Sequence, residues 1–346
     1  MIALQLFPWT HVLFNDLFAT QQRSKLPHAL LISGIEGLGK LDVMQQFSRL
    51  LLCQHPTHAN SNHLTQDSGT QLGCGTCHAC NLFSAGHHPD FLTIEPEKKG
   101  GNILVDQIRR LNEFVSLKSH LGGMQVIIIN HAHRMNRNAA NSLLKTLEEP
   151  TDNVLLILIS SKANALPATI KSRCQRRVLK TPSRADATQW LTTKYNNEPQ
   201  SPETMLSALQ LSSGAPLLAL DYLKEGVVEQ YYGQLSHFLA LSENKISVVE
   251  VASKWAAAEG AHAFLWLLHW VSRLIGFKFR LANAATHHNG KTEQQLQNLS
   301  MAVDLVKLYH YYDQLLVAIR LSDSQVNKQL LLEKLLINWR QTCIKA

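Results

Sequence analysis

No apolar run in this 346-residue chain approaches the roughly 18 residues needed to cross a bilayer; the longest are Val154–Ile159 and Ala263–Leu268. Met1–Thr10 has no basic stretch ahead of an apolar one, so no export signal is expected. Charged residues make up 17% against 45% hydrophobic, a balance too apolar for a disordered chain. Charge of one sign is also scarce. The 33 Lys and Arg exceed the 26 Asp and Glu by +7, with no concentrated basic arm. That excess permits a nucleic-acid or acidic partner without demanding one. The chain has no internal repeat and no low-complexity tract. Secreted, membrane-spanning and fibrous classes are excluded, which leaves a cytoplasmic protein of two or three domains.

Cysteines are few but clustered. Cys74, Cys77 and Cys80 fall within seven positions, a fourth is Cys53, and Cys174 and Cys343 stand alone. Without an export signal this pattern favours a metal over disulfides. The C-x2-C-x2-C run with Cys53 supplies four thiolates, the closed tetrahedral set of structural zinc. Iron–sulfur clusters share the spacing, but their fourth cysteine commonly follows after three intervening residues, where this chain has Ser84. Such a knuckle serves either as a structural staple or as a direct nucleic-acid contact.

The first 180 residues alternate strand and helix patterns. Ala29–Ser33, Val126–Ile129 and Val154–Ile159 are continuous apolar runs of strand length, suited to parallel strands buried on both faces. Helices are expected over Lys40–Cys53 and Asn138–Glu149, the second stopped by Pro150. This is an α/β domain, a parallel sheet with helices on both faces, over 1–180, with a cysteine module inserted at about 53–80. Beyond Thr181 the strands vanish. A small helical segment covers 181–226, including Ala185–Tyr195 and Pro202–Leu211, and an all-helical region covers 227–346. In the latter, Phe264, Leu267, Leu268, Val271 and Leu274 form one apolar stripe, and Asn283–Asn298 reads as a loop and helix start.

Gly34-Ile-Glu-Gly37-Leu-Gly39-Lys40-Leu41 follows a strand and opens a helix, the context of a phosphate-binding loop. Gly34, Gly37 and Gly39 let backbone N–H groups turn onto a phosphate, and Lys40 neutralises its charge. The magnesium machinery is missing. The hydroxyl expected after the lysine is replaced by Leu41, and the acidic residues expected after the Val126–Ile129 strand are replaced by Asn130 and His131. Productive binding of ATP and magnesium is therefore not expected. Downstream, Ser172-Arg173-Cys174 closes a short helical pattern beginning at Pro167. An arginine there is either a solvated surface residue or, in a P-loop domain, a finger completing a neighbouring subunit's active site.

Together these residues resemble the delta prime family of bacterial DNA polymerase III clamp-loader subunits, within the AAA+ proteins. The resemblance lies in the Arg23–Gly34 lead-in to a degenerate P-loop, in Asn141-Ser-Leu-Leu-Lys-Thr-Leu-Glu-Glu-Pro150 and in Ser172-Arg173-Cys174. It is strong over about residues 1–220 and architectural beyond, where Asn327–Leu336 is similar to the last helix of a collar domain. The cysteine knuckle is shared with the gamma/tau motor subunits, which would keep the hydroxyl and acidic pair lost here. A lid arginine expected after Gly214 is replaced by Leu217. The 20 residues between Cys53 and Cys74 are a departure from the family, and leave room for His55, His58 or His63 as first ligand.

The resemblance implies an AAA+ domain, a helical lid and a collar that joins a five-membered ring with gamma/tau and delta subunits. The chain would be a stator without ATPase activity of its own, presenting Arg173 to ATP on a gamma/tau neighbour while a sliding clamp is loaded onto primed DNA. Arg109, Arg110, Arg176 and Arg177 are candidates for the DNA backbone or for ordinary solvated charges. The rival readings are an ATP-hydrolysing motor of the same family and a stand-alone zinc module that binds nucleic acid.

Overall fold

The computed structural model describes residues 6–58, 71–98, 100–195, 201–257, 261–279, 290–322 and 326–343. The elements are, in chain order, α1 (His11–Gln22), β1 (Ala29–Ser33), α2 (Lys40–Leu52), β2 (Thr57–His58), β3 (Gln71–Leu72), α3 (His78–Ala85), β4 (Phe91–Ile94), α4 (Val105–Ser116), β5 (Gln125–Ile129), α5 (Arg137–Glu148), β6 (Val154–Ser160), α6 (Ala168–Lys171), β7 (Gln175–Val178) and α7 (Arg184–Lys194). Only helices follow: α8 (Pro202–Leu211), α9 (Pro216–Lys224), α10 (Val227–Ser242), α11 (Val248–Ala257), α12 (Ala261–Lys278), α13 (Gly290–Ala302), α14 (Leu305–Ser322) and α15 (Lys328–Cys343). The expected strands and helices recur with ends moved by one or two residues. Of the Asn283–Asn298 stretch, the residues before Gly290 lie outside the described ones.

Two compact units form. The first is Met1–Asn197 with Leu209–Leu220, and the second is Glu198–Ala208 with Asp221–Ala346. Helices α8 and α9 each contribute residues to both units. No helix among the described residues is long and apolar enough to cross a membrane.

The first unit is built on a five-stranded sheet of order β4-β5-β6-β1-β7. All its pairings are parallel, with Ala29 beside Leu156, Val126 beside Leu155 and Leu30 beside Gln175. The three central strands are buried along their whole length, which accounts for their unbroken apolar runs. Alternate residues feed opposite faces. Leu31, Ile127, Ile129, Leu156 and Leu158 pack with Leu111 of α4 and with Leu143 and Leu147 of α5. Leu30, Ile32, Val126, Ile128 and Ile157 pack with Phe14 of α1 and with Val43 and Phe47 of α2. Each such side chain contributes about 1.5–3 kcal/mol by leaving water. Helix α5 starts where the Asn136 side chain accepts the Ala139 N–H at 2.8 Å and stops ahead of Pro150.

The second unit buries an aromatic core. Phe238 stacks on Trp339 at 4.5 Å and tilts against Trp270 at 5.1 Å, while Trp255 and Tyr311 meet the same two tryptophans edge-on or tilted. Such pairs hold α10, α11, α12, α14 and α15 together through area burial and ring geometry.

Candidate functional site

The glycine loop joins β1 to α2 as expected, and Leu217, Leu218, Phe7 and Trp9 pack against it. Gly37 and Gly39 adopt left-handed φ values of 76° and 75°, which suit glycine. A β-carbon on Gly37 would lie 2.4 Å from Leu218 Cβ and 2.7 Å from Leu218 N. The Leu217 N–H donates to Gly37 O at 3.1 Å. On the other flank, a β-carbon on Gly39 would meet the Phe7 ring at 2.6 Å, and Trp9 Nε1 donates to Leu38 O at 2.9 Å. The ammonium of Lys40 donates to Ile35 O within its own loop. Burial pushes Lys40 down to about 8, against the opposing charge of Glu36.

Asn130 and His131 stand where metal-binding acids are expected. Asn130 is buried; its amide reaches Glu95 Oε2 at 3.5 Å, and its oxygen accepts the His131 N–H at 3.0 Å. His131 is held at a left-handed φ of 53°. Beside it, His133 Nδ1 and Ser160 Oγ lie 3.3 Å apart. Burial, with His131, Arg134 and Lys162 nearby, pushes His133 down to about 4 despite Glu36, so the imidazole is neutral at pH 7. The sequence reading singles out neither His133 nor Ser160; both belong to this pocket through tertiary contact. A cleft of about 1010 Å³ lined by Trp9, Val12, Lys180 and Trp190 also lies in this unit, and no residue of the glycine loop lines it.

The four cysteines converge. Cys53 ends α2, the antiparallel β2–β3 pair returns the chain, and Cys74, Cys77 and Cys80 lead into α3. Their sulfurs all lie within 4.8 Å of one another, with Cys53 and Cys77 at 3.9 Å. Zinc–sulfur bonds of about 2.3 Å in a tetrahedron put neighbouring sulfurs about 3.8 Å apart, so the set fits one zinc ion. An iron–sulfur cluster, holding several irons, needs its thiolates further apart. Backbone N–H groups already point at the sulfurs: Cys74 N to Cys53 at 3.3 Å, Cys77 N to Cys74 at 3.3 Å and Cys80 N to Cys77 at 3.4 Å. The amides of Thr76 and Cys77 draw the Cys74 thiol down to about 5. Cys77 also caps the N-terminus of α3, where a thiolate is favoured. Burial pushes the Cys80 thiol up, and the side chain of Arg49 beside it offsets part of that rise. A β-carbon on Gly75 would lie 2.7 Å from Arg49 Nη2. Among the described residues no other group of three or more His, Cys, Asp and Glu is close enough to share a metal. Cys53 is thus the residue brought to the site; the side chains of His58 and His63 lie outside the described residues.

Arg173 follows the C-cap of α6, Ser172. Its Nη2 lies 2.7 Å from Glu148 Oε1, and its Nη1 donates to Thr169 O at 3.0 Å and to Ser172 Oγ at 3.4 Å. Ser172 Oγ also donates to Thr169 O at 3.0 Å, tightening the turn. Cys174 is buried in the core beside Ile170 and Leu147, and burial pushes its thiol up to about 11, so it serves as a small apolar anchor. The sequence places Glu148 inside the Asn141–Pro150 motif but assigns it no role. The other arginines are engaged within this unit: Arg109 with Asp106 at 2.8 Å, Arg110 with Glu97 at 3.7 Å, Arg177 with Asp16 at 2.9 Å and Arg176 with Ser33 Oγ at 3.3 Å.

A parallel five-stranded sheet and a glycine loop running from its strand β1 into helix α2 define a domain with the layout of a P-loop fold, with Leu41 after the loop lysine and Asn130 and His131 after β5. Family models described as DNA polymerase III, delta subunit, and DNA polymerase III, delta subunit, C terminal, match residues 10–183 and 227–341. The chain is 33% identical over 341 residues to DNA polymerase III subunit delta' of Pseudomonas aeruginosa, covering 96% of this chain and 97% of that one. It is 32% identical over 276 residues to the Haemophilus influenzae subunit delta', covering 80% and 79%. A DNA polymerase III subunit tau/gamma of Haemophilus influenzae is 32% identical over 157 residues, 45% of this chain and 21% of that protein. The chain belongs to the delta prime family of DNA polymerase III clamp-loader subunits.

Proposed function

We propose that this subunit is the stator of a clamp loader and completes a neighbour's ATPase site rather than running its own. The observation that carries the reading is paired: Leu41, Asn130 and His131 stand where a P-loop's magnesium-binding groups are expected, while Arg173 stands half-exposed on a separate turn. In this reading Gly34, Gly37, Gly39 and Lys40 hold the fold rather than a nucleotide, and the isolated chain hydrolyses no ATP. Residues 181–226 act as the helical lid and 227–346 as the collar of a ring with gamma/tau-type and delta subunits. Arg173, set by Ser172 and Cys174, reaches ATP bound by an adjacent gamma/tau subunit. Its fixed positive charge offsets charge developing on the phosphoryl oxygens, worth roughly 10³–10⁵ in rate in related NTPases. The ring opens a sliding clamp and loads it onto primed DNA in the cytoplasm, as part of the polymerase holoenzyme.

Zinc bound by Cys53, Cys74, Cys77 and Cys80 would supply structural cross-linking between the end of α2 and the start of α3. The test is reconstitution: Arg173→Ala is expected to leave assembly intact and to depress the complex's clamp- and DNA-stimulated ATPase. Full stimulated activity overturns the finger role. A motor reading predicts turnover by the isolated chain that Lys40→Ala abolishes.

A further inference from the structure

We infer that Glu148 is the positioning residue that aims Arg173, an inference that rests on the finger reading above. The two residues come from different elements. Glu148 is the last residue of α5, and Arg173 follows α6, with Ser172 between them. The contacts of Arg173 Nη1 with Thr169 O and Ser172 Oγ tie the guanidinium to its own turn, and Ile170 and Cys174 root that turn in the core. Both contacts are made by one nitrogen, Nη1, so they hold one edge of the guanidinium and leave the plane free to pivot about it. The 2.7 Å contact of Nη2 with Glu148 Oε1, made from a separate helix, closes that freedom.

Glu148 has no helical reason for its place. A carboxylate in the last turn faces the negative end of the helix dipole and disfavours α5. Here it sits beside a second acid, Glu149, and its partner is the one arginine in the motif. These contacts take three of the five guanidinium N–H groups and leave two for an incoming phosphate oxygen. Ordering before the phosphate arrives removes the entropy cost of fixing a long side chain during phosphoryl transfer. Both partners are partly exposed, at 36% and 49%, so the pair aims the side chain without supporting the fold.

The experiment uses the full chain in the reconstituted complex with clamp and primed DNA, and compares Glu148→Ala, Glu148→Gln, Arg173→Ala and the double variant. Glu148→Ala is expected to lower kcat for ATP on the order of tenfold at unchanged KM and unchanged thermal midpoint. Glu148→Gln, which keeps an acceptor oxygen for Nη2, restores most of the rate. Glu148→Ala adds nothing to Arg173→Ala, because the group it aims is gone. A slow Arg173→Ala complex with Glu148→Ala at full or raised kcat, or with effects that multiply, overturns the positioning role alone. An Arg173→Ala complex at full rate overturns the finger reading and this inference with it.

Discussion

The backbone N–H of Leu217 donates to the carbonyl of Gly37 at 3.1 Å, which ties the start of α9 to the glycine loop. The glycine at 37 is required by this contact as much as by any phosphate. Gly37→Ala places a β-carbon 2.4–2.7 Å from Leu218 and forces a side chain into a left-handed backbone at φ 76°. A loss of about 2–4 kcal/mol is expected, measured by chemical denaturation. A variant of unchanged stability contradicts the tight packing of Leu218 on Gly37.

The cysteine cluster predicts one equivalent of zinc per chain by elemental analysis. Cys77→Ser should bring the metal content close to zero, since the serine hydroxyl replaces both the thiolate ligand and the cap of α3. The thermal midpoint falls with it, by about 2–4 °C for each kcal/mol lost in a unit of this size. Metal-free protein of full stability contradicts a structural role.

His133 predicts an acid limb in the stability curve. The unfolded chain takes up this proton near pH 6.5, whereas burial delays uptake in the folded state to about pH 4. Between those values the unfolded state binds more protons, so stability present above pH 6.5 is lost as pH falls to 4. The full difference corresponds to about 3 kcal/mol, and partial exposure of the ring reduces it to about 1–2 kcal/mol. His133→Asn should flatten this limb relative to the parent chain; an unchanged slope assigns the acid loss to other groups.

Legibility followed the range of the interactions. Strands β1, β5 and β6 could be read because both their faces are buried, which leaves an apolar run in the sequence. The edge strand β7, Gln175–Val178, carries two arginines and reads as a charged connector, since one of its sides is never covered. The four cysteines were legible because ligand spacing is local for three of them. Their convergence with Cys53 depends on α2 ending beside α3. The Glu148–Arg173 pair, the packing of Leu218 against Gly37 and the joining of His133 to Ser160 are contacts across 25 or more residues. No periodicity or motif encodes their distances. The tryptophan core of the second unit shows as separate apolar stripes in the sequence, and only packing brings Phe238, Trp270 and Trp339 together.

The central claim is that Arg173 acts on a neighbour's nucleotide. Single-turnover ATP hydrolysis in the reconstituted complex tests it most directly, with assembly and ATP binding followed in parallel. With Arg173→Ala, the ATP beside this subunit should hydrolyse on the order of 10³ more slowly while assembly and ATP binding stay intact. Hydrolysis of every bound ATP at the parent rate contradicts the account.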